Sequence, residues 1–230
     1  MPDLQLIPSD IGPAEFASLF GVSRETTERL EIYADTLGFW QRTINLVAPG
    51  TLDTLWQRHF ADSAQLLALA PKAAETWADL GSGAGFPGLV IAILLIDQGL
   101  HPRMTLIESD QRKAAFMSEV VRRTGLASAM TVDILCERIE APATRARVGK
   151  ADVVTSRALA PLHELMHLTA PFFGPRTVAL FLKGRTIEAE LAAAAETWHM
   201  DYELVPSRTD RHGRIVVLRS FAGRDGGSRP

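Results

Sequence analysis

The chain has one cysteine, two tyrosines and no strong excess of either charge, and each scarcity removes a class of function. A lone thiol, Cys136, can close no internal disulfide and build no cysteine-rich metal cage, so it reads as a small apolar residue. The 24 basic and 27 acidic side chains leave a net charge of −3. No global attraction to nucleic acid is therefore built in, and such a partner would need a local patch. The longest uninterrupted apolar run, 89–96, has eight residues, far fewer than the roughly 20 that cross a bilayer as a helix. Met1-Pro2-Asp3-Leu4-Gln5 has neither the basic start nor the apolar segment of a secretory signal. These features lead us to expect a cytoplasmic protein with no membrane partner. There is no Gly-Lys-Ser/Thr phosphate loop. Of six histidines only His163 and His167 have ligand-like spacing, and without a flanking glutamate the pair reads as a helix face, so no metal is expected.

What is present is a globular composition of 230 residues, 47% apolar and 22% charged, enough for one full domain plus an appendage. The first ten residues read as loop. Helical spacing follows over 13–20, from Ser23 as an N-cap to about 46, and over 51–56 and 58–69, with Pro71 closing this region. From 77 onward short apolar strands alternate with helices. Strands are expected at 77–80, 104–108, 130–134, 152–156, 178–183, 202–206 and 215–220, and helices at 89–97, 111–124, 161–172 and 187–198, with a short one near 137–145. The fold class expected is α/β, a Rossmann-like three-layer sandwich with a seven-stranded, mainly parallel sheet. Only 207–214 separates the last two strands, so a hairpin joins them; the final strand is expected to be antiparallel and to lie at an edge. The organisation expected is a helical extension over 1–71, a ligand-binding domain over 72–222 and a flexible tail over 223–230.

The densest chemical signal is Asp79-Leu80-Gly81-Ser82-Gly83-Ala84-Gly85-Phe86-Pro87-Gly88, four glycines in eight residues between an apolar strand and an apolar helix. Such a turn lets backbone N–H groups and a helix N-terminus approach a nucleotide-like ligand, and Pro87 suits the first helical turn. Gly83, Gly85 and Gly88 satisfy the dinucleotide pattern, whereas Asp79, Gly81, Gly83 and Gly85 satisfy acid-x-G-x-G-x-G. The second pattern resembles the cofactor motif of class I S-adenosylmethionine-dependent methyltransferases, in which the acid lies on the amino-acid side of the ligand. Glu108, after the second strand, stands where a carboxylate accepts ribose hydroxyls, and the late hairpin also favours a methyltransferase sheet. An oxidoreductase using NAD is disfavoured because neither Tyr33 nor Tyr202 begins a Tyr-x-x-x-Lys pair. A small-molecule methyltransferase, which would need an enclosed pocket, remains a competitor. After the fourth strand, Ser156-Arg157-Ala158 replaces the Asn/Asp-Pro-Pro-aromatic motif of enzymes that methylate exocyclic amines, and Cys136 lies in the wrong element for methylation of pyrimidine C5.

Taken together the motifs resemble the RsmG family, also called GidB, of small-subunit ribosomal RNA guanine-N7 methyltransferases. The resemblance is carried by Asn45-Leu46, Arg58-His59-Phe60-Ala61-Asp62-Ser63, Asp79 to Gly88, Leu106-Ile107-Glu108-Ser109, Lys113-Ala114-Ala115-Phe116, Ser156-Arg157-Ala158 and Lys183-Gly184, in family order. It implies methylation of N7 of a guanine in the 530 loop of 16S rRNA, with S-adenosylmethionine as methyl donor and 16S rRNA or the small subunit as partner. It further implies Gly81, Phe86, Ile139, Glu140 and Arg157 as cofactor contacts, beside Asp79, Gly83, Gly85 and Glu108. Cys136-Glu137-Arg138-Ile139-Glu140 departs from the family's frequent Gly-Arg-Ala-Glu but keeps Arg138 and Glu140. Candidates for orienting the guanine or its phosphates are Arg157, Arg58, His59, Lys113 and Lys183. For Arg58, His59 and Asp62 an equal alternative is a polar network that locks the N-terminal helices onto the rest. A monomer is expected.

Overall fold

The computed structural model describes residues 6–224. After the loop at 6–12 come α1 (Pro13–Phe20) and α2 (Arg24–Trp40). Ser23 caps α2 by accepting from the Thr26 N–H. The helix does not continue to 46 as expected. Beyond Trp40 the Gln41 side chain accepts from the Leu46 and Val47 N–H groups and donates to the Val47 carbonyl, which stabilises a turn in place of further helical bonds. The expected helix at 51–56 is reduced to a 3-10 turn at Pro49–Thr51. The expected helix at 58–69 is a composite: a π-helical stretch at Trp56–Ala61, α3 (Asp62–Ala64) and a 3-10 segment at Gln65–Leu69.

The alternating part follows as β1 (Thr76–Leu80), α4 (Gly88–Asp97), β2 (Arg103–Ile107), α5 (Gln111–Arg123), α6 (Leu126–Ala129), β3 (Val132–Leu135), α7 (Pro142–Val148), β4 (Ala151–Arg157), α8 (Leu162–Thr169), β5 (Phe173–Lys183), α9 (Ile187–Thr197), β6 (Trp198–Pro206) and β7 (Arg214–Gly223). One seven-stranded sheet runs in the order β3-β2-β1-β4-β5-β7-β6. Strands β1 to β5 pair in parallel, and β7 is antiparallel to both β5 and β6. The Rossmann-like sandwich is thus realised with an antiparallel final strand, but that strand is interior and the edge belongs to β6. Four consecutive residues of β7, Ile215, Val216, Val217 and Leu218, are buried, which requires cover on both faces. By contrast β6 carries exposed His199, Asp201, Tyr202 and Glu203, as an edge strand tolerates. Of the tail expected at 223–230, the first two residues are ordered: Gly223 ends β7 and the Arg224 N–H bonds the Thr197 carbonyl. Residues 225–230 lie outside the described residues.

Two apolar clusters cover the sheet. One joins Phe16, Leu30, Tyr33 and Leu37 of the N-terminal helices to Trp77, Leu89, Ile93, Phe116 and Val120. The other packs Leu162, Met166, Ile187 and Leu191 against Ala78, Leu80, Val154 and Phe181. Alternation along β1 sends Trp77 to the first face and Ala78 and Leu80 to the second. Among the described residues no helix is long and apolar enough to cross a membrane.

Candidate active site

The carboxyl ends of β1, β2 and β4 meet in register, with Leu80 opposite Ile107 on one side and Ser156 on the other. The glycine turn leaves β1 at this point, in the crevice where open α/β sheets bind ligands. The turn is held by backbone bonds: the Ser82 N–H donates to the Ile107 carbonyl at 3.0 Å and the Gly85 N–H to the Ser82 carbonyl at 2.7 Å. Glu108 accepts the Gly83 N–H at 2.9 Å through one oxygen and the Asp110 N–H at 2.8 Å through the other. A carboxylate has about four acceptor positions, so Glu108 keeps capacity for a ligand's hydroxyls. Asp110 caps α5 through the Arg112 N–H.

A cavity of 390 Å³ opens beside this turn, lined by Gly81, Gly83, Phe86, Glu108, Lys113, Ile139, Glu140 and Arg157, among others. Two of the expected contacts do not face it. Asp79 is fully buried on the α4 side of β1, accepting the Thr155 hydroxyl at 2.7 Å and the Gly88 N–H at 3.3 Å. Burial pushes its carboxyl up to about 6 against these bonds and the Arg157 charge. Its bond to Gly88 also anchors the start of α4, so Pro87 lies just before the helix instead of inside it. Gly85 is likewise structural: a Cβ there would strike Leu89 and the Tyr33 hydroxyl. That hydroxyl donates to the Ala84 carbonyl, and the Tyr33 ring stacks on Phe86 at 5.2 Å. A Cβ on Gly83 would meet only the Gly81 carbonyl oxygen, at an ordinary contact distance of 3.9 Å, so this position on the first cavity's wall has room.

A second cavity of 730 Å³ adjoins the first and shares Leu46, Arg157, Ala158 and Leu159 with it. Arg58, His59, Asp62, Lys183 and Asp210 line this second space. Lys113 does not: it stands at the first cavity, apart from the other basic candidates. Arg157 forms the centre of the shared wall. Its guanidinium lies 5.0 Å from the Phe86 ring centroid, donates to the Arg58 carbonyl at 3.1 Å, and stands 2.7 Å from His59 Nδ1 and 3.6 Å from Asp62. Because arginine only donates, His59 Nδ1 is the acceptor, which puts the ring proton on Nε2, 2.8 Å from the Thr51 hydroxyl. Burial, then Arg157, then Arg58, hold His59 down to about 3, so it is a neutral spacer and not an acid. Ala158 follows with φ of 53°, a conformation uncommon for a residue with a Cβ, and turns the chain sharply at the wall between the two cavities.

Of the two readings of the Arg58, His59 and Asp62 group, the contacts show the polar network. Asp62 accepts from Thr209 at 2.6 Å and Gln65 at 2.9 Å, and Gln65 donates on to Ser207, tying α3 to the β6–β7 turn. Arg58 and His59 nevertheless line the second cavity. Lys183 is held by Glu190 at 2.8 Å and by the Ala160 carbonyl at 2.7 Å, so it fixes the segment after Ala158. His167 packs edge-on against Trp198 at 4.9 Å, a helix-face role. Cys136, read as a small apolar residue, is exposed, because the chain after Leu135 has left the sheet. Sequence reasoning missed Tyr33, Thr155 and Asp210; the first two act by packing from distant segments, while Asp210 lay in a polar hairpin loop that carried no motif. The arrangement presents two ligand spaces that meet at one wall, which suits group transfer between two bound molecules.

Comparison with known proteins agrees with this geometry. The family described as "GidB: rRNA small subunit methyltransferase G" matches residues 26–214. The chain is 50% identical over 220 residues to a ribosomal RNA small subunit methyltransferase G of Parvibaculum lavamentivorans, covering 95% of this chain and 94% of the relative. It is 47% identical to the protein of the same name from Rhodospirillum centenum, covering 97% and 98%. Among solved structures, cofactor-bound Rv0187 from MTB superposes with a TM-score of 0.55 at 13% identity, covering 94% of this chain and 99% of that one. A methyltransferase from Geobacter sulfurreducens gives 0.53 at 12% identity, covering 93% and 98%. These structures share the fold.

Proposed function

This chain belongs to the rRNA small subunit methyltransferase G family, and from that premise we propose that it methylates N7 of a guanine in the 530 loop of 16S rRNA, in the cytoplasm, using S-adenosylmethionine. The observation that carries the reading is the pair of cavities meeting at Arg157, Ala158 and Leu159. The first suits the cofactor: Gly83 carries no side chain to obstruct close approach, Glu108 retains acceptor capacity for ribose hydroxyls, and Ile139 and Glu140 line the same cavity, where they would meet the adenine. Bound there, the cofactor supplies an electrophilic methyl group. The second cavity has the volume of a nucleotide site, with Arg58 at its edge to meet a phosphate.

Guanine N7 has a free lone pair and no proton to lose, so the residues need remove no proton from it. A neutral, fully bonded His59 agrees with that chemistry. Catalysis then rests on alignment, which can supply about 7–11 kcal/mol of barrier reduction when two reactants are held in line. Arg157 is the residue best fastened for this, with His59, Asp62, Phe86 and the Arg58 carbonyl all fixing its plane. Lys183 positions the Ala158–Pro161 segment through the Ala160 carbonyl, and Lys113 stands at the cofactor side.

The test is incubation with methyl-labelled S-adenosylmethionine and small subunits that lack the modification, with naked 16S rRNA in parallel. Nucleoside mass spectrometry should find label on guanine N7 within the 530 loop. Label on another atom or another loop would overturn the reading.

A further inference from the structure

The turn between β6 and β7 lines the second cavity through Ser207, Asp210 and Gly213, and hydrogen bonds fix that turn. The Ser207 N–H bonds the Gly213 carbonyl, the Gly213 N–H bonds the Asp210 carbonyl, and Thr209 and Ser207 are tied to Asp62 and Gln65. A Cβ on Gly213 would come within 2.9 Å of Ser207 and 3.1 Å of Asp210, so the turn closes only because glycine is there. The result is a carboxylate held in place at the cavity. One Asp210 oxygen accepts the His212 N–H at 2.9 Å, while the other has only a long, 3.3 Å contact with Arg58.

Among the acidic groups at this cavity Asp210 has the most free acceptor capacity. Asp62 is enclosed by Thr209, Gln65 and Arg157, and Glu190 by Lys183, Thr186 and the Leu162 N–H. The Asp210 side chain is 37% exposed and that of Arg58 is 43% exposed, so the pair can part without opening the core. A guanine whose N7 edge faces the cofactor wall turns its N1–H and N2–H₂ donors away from that wall, where a carboxylate lining the same cavity can meet them.

We propose that Asp210 is the specificity-determining residue that accepts the N1–H and N2–H₂ donors of the target guanine, while Arg58 leaves it to meet the nucleotide's phosphate. The inference rests on the guanine-N7 reading above and adds to it the way the base is chosen. An adenine presents an acceptor at N1 and no amine at C2, so a carboxylate rejects it by repulsion as well as by lost bonds. Paired contacts of this kind discriminate by roughly tenfold to a hundredfold.

The experiment compares the parent protein with Asp210→Asn on subunits reconstituted from 16S rRNA carrying guanosine or inosine at the target position. Inosine keeps N7, O6 and N1–H but lacks the 2-amino group. In the parent, kcat/KM for N7 methylation should fall roughly tenfold on inosine. In Asp210→Asn it should fall on guanosine, with the guanosine-to-inosine ratio collapsing toward one. N7 methylation by the parent with no preference for guanosine would overturn the assignment while leaving the N7 reading intact, and this outcome needs no variant to fold. A parent-like ratio in Asp210→Asn would also overturn it. Methyl transfer to a different atom would overturn both readings.

Discussion

Gly83 and Gly85 sit two residues apart in one turn and predict opposite phenotypes. At Gly83 a Cβ meets only the Gly81 carbonyl oxygen at 3.9 Å, an ordinary contact, although φ is 58°, and aspartate is among the side chains that tolerate this backbone region. Gly83→Asp should therefore fold, changing stability by no more than about 1 kcal/mol. Its carboxylate would stand in the first cavity near Glu108, and binding of S-adenosylmethionine measured by calorimetry should weaken by at least about 100-fold, as expected for an unpaired charge forced against a ligand. Gly85→Ala should do the reverse to the fold. The new methyl group strikes Leu89 and the Tyr33 hydroxyl at a φ of 86°, and overpacking plus backbone strain should cost about 2 kcal/mol or more in a denaturation experiment. Equal behaviour of the two variants would show that the turn does not divide into a ligand side and a packing side. The motif spacing gave both glycines, and Asp79, the same expected role. What separates them is the direction of each side chain: Asp79 follows Trp77 onto the buried face of β1, and a linear pattern does not record which face a ligand occupies.

At the scale of elements, the N-terminal helices and the β6–β7 turn form one clasp around the second cavity. Gln57 donates to the carbonyls of Ile7 and Thr209, Gln65 reaches Ser207, and Asp62 holds Thr209 while facing Arg157. Removing Asp62 leaves a buried arginine without its carboxylate, and such a loss costs about 3 kcal/mol. Asp62→Ala should lower stability by that order, and hydrogen exchange should accelerate first in the 207–213 turn; protection there equal to the parent's would mean that the clasp is not held by this residue. The alternation of strands and helices and the helix caps at Ser23 and Asp110 were readable because they are local. The place of β7 was less so. Its apolar run signals burial on both faces, but the hairpin alone leaves open which of its two strands takes the interior position. The clasp was readable only as one of two alternatives, since its partners lie more than 140 residues apart in sequence.

For the whole molecule, buried titratable groups of opposite sign make stability depend weakly on pH where either group alone would make it steep. His59 is held at about 3 against an ordinary 6.5, first by burial and then by Arg157 and Arg58. Between those values the unfolded chain carries a proton that the folded chain refuses, so His59 makes stability rise with pH, by up to about 1.4 kcal/mol per pH unit. Its contribution is complete above 6.5. Asp79 acts in reverse: burial raises it from 3.8 to about 6, so within that window the folded chain carries the extra proton and stability falls as pH rises. Burial pushes Asp62 in the same direction despite its hydrogen bonds and arginine neighbours. The carboxylates whose values are lowered, among them Asp97, Asp152, Glu190 and Asp210, act mainly at more acid pH. Between about pH 4.5 and 6 the parent should therefore show a nearly flat or gently falling urea midpoint. Asp79→Asn keeps an acceptor for Thr155 but removes one falling component, so its midpoint should tilt upward with pH relative to the parent. His59→Gln removes the rising component, and its midpoint should fall more steeply across the same window. The two tilts have opposite signs, so a general loss of stability in either variant cannot imitate them; parallel profiles for all three proteins would refute the protonation states assigned to this buried pair.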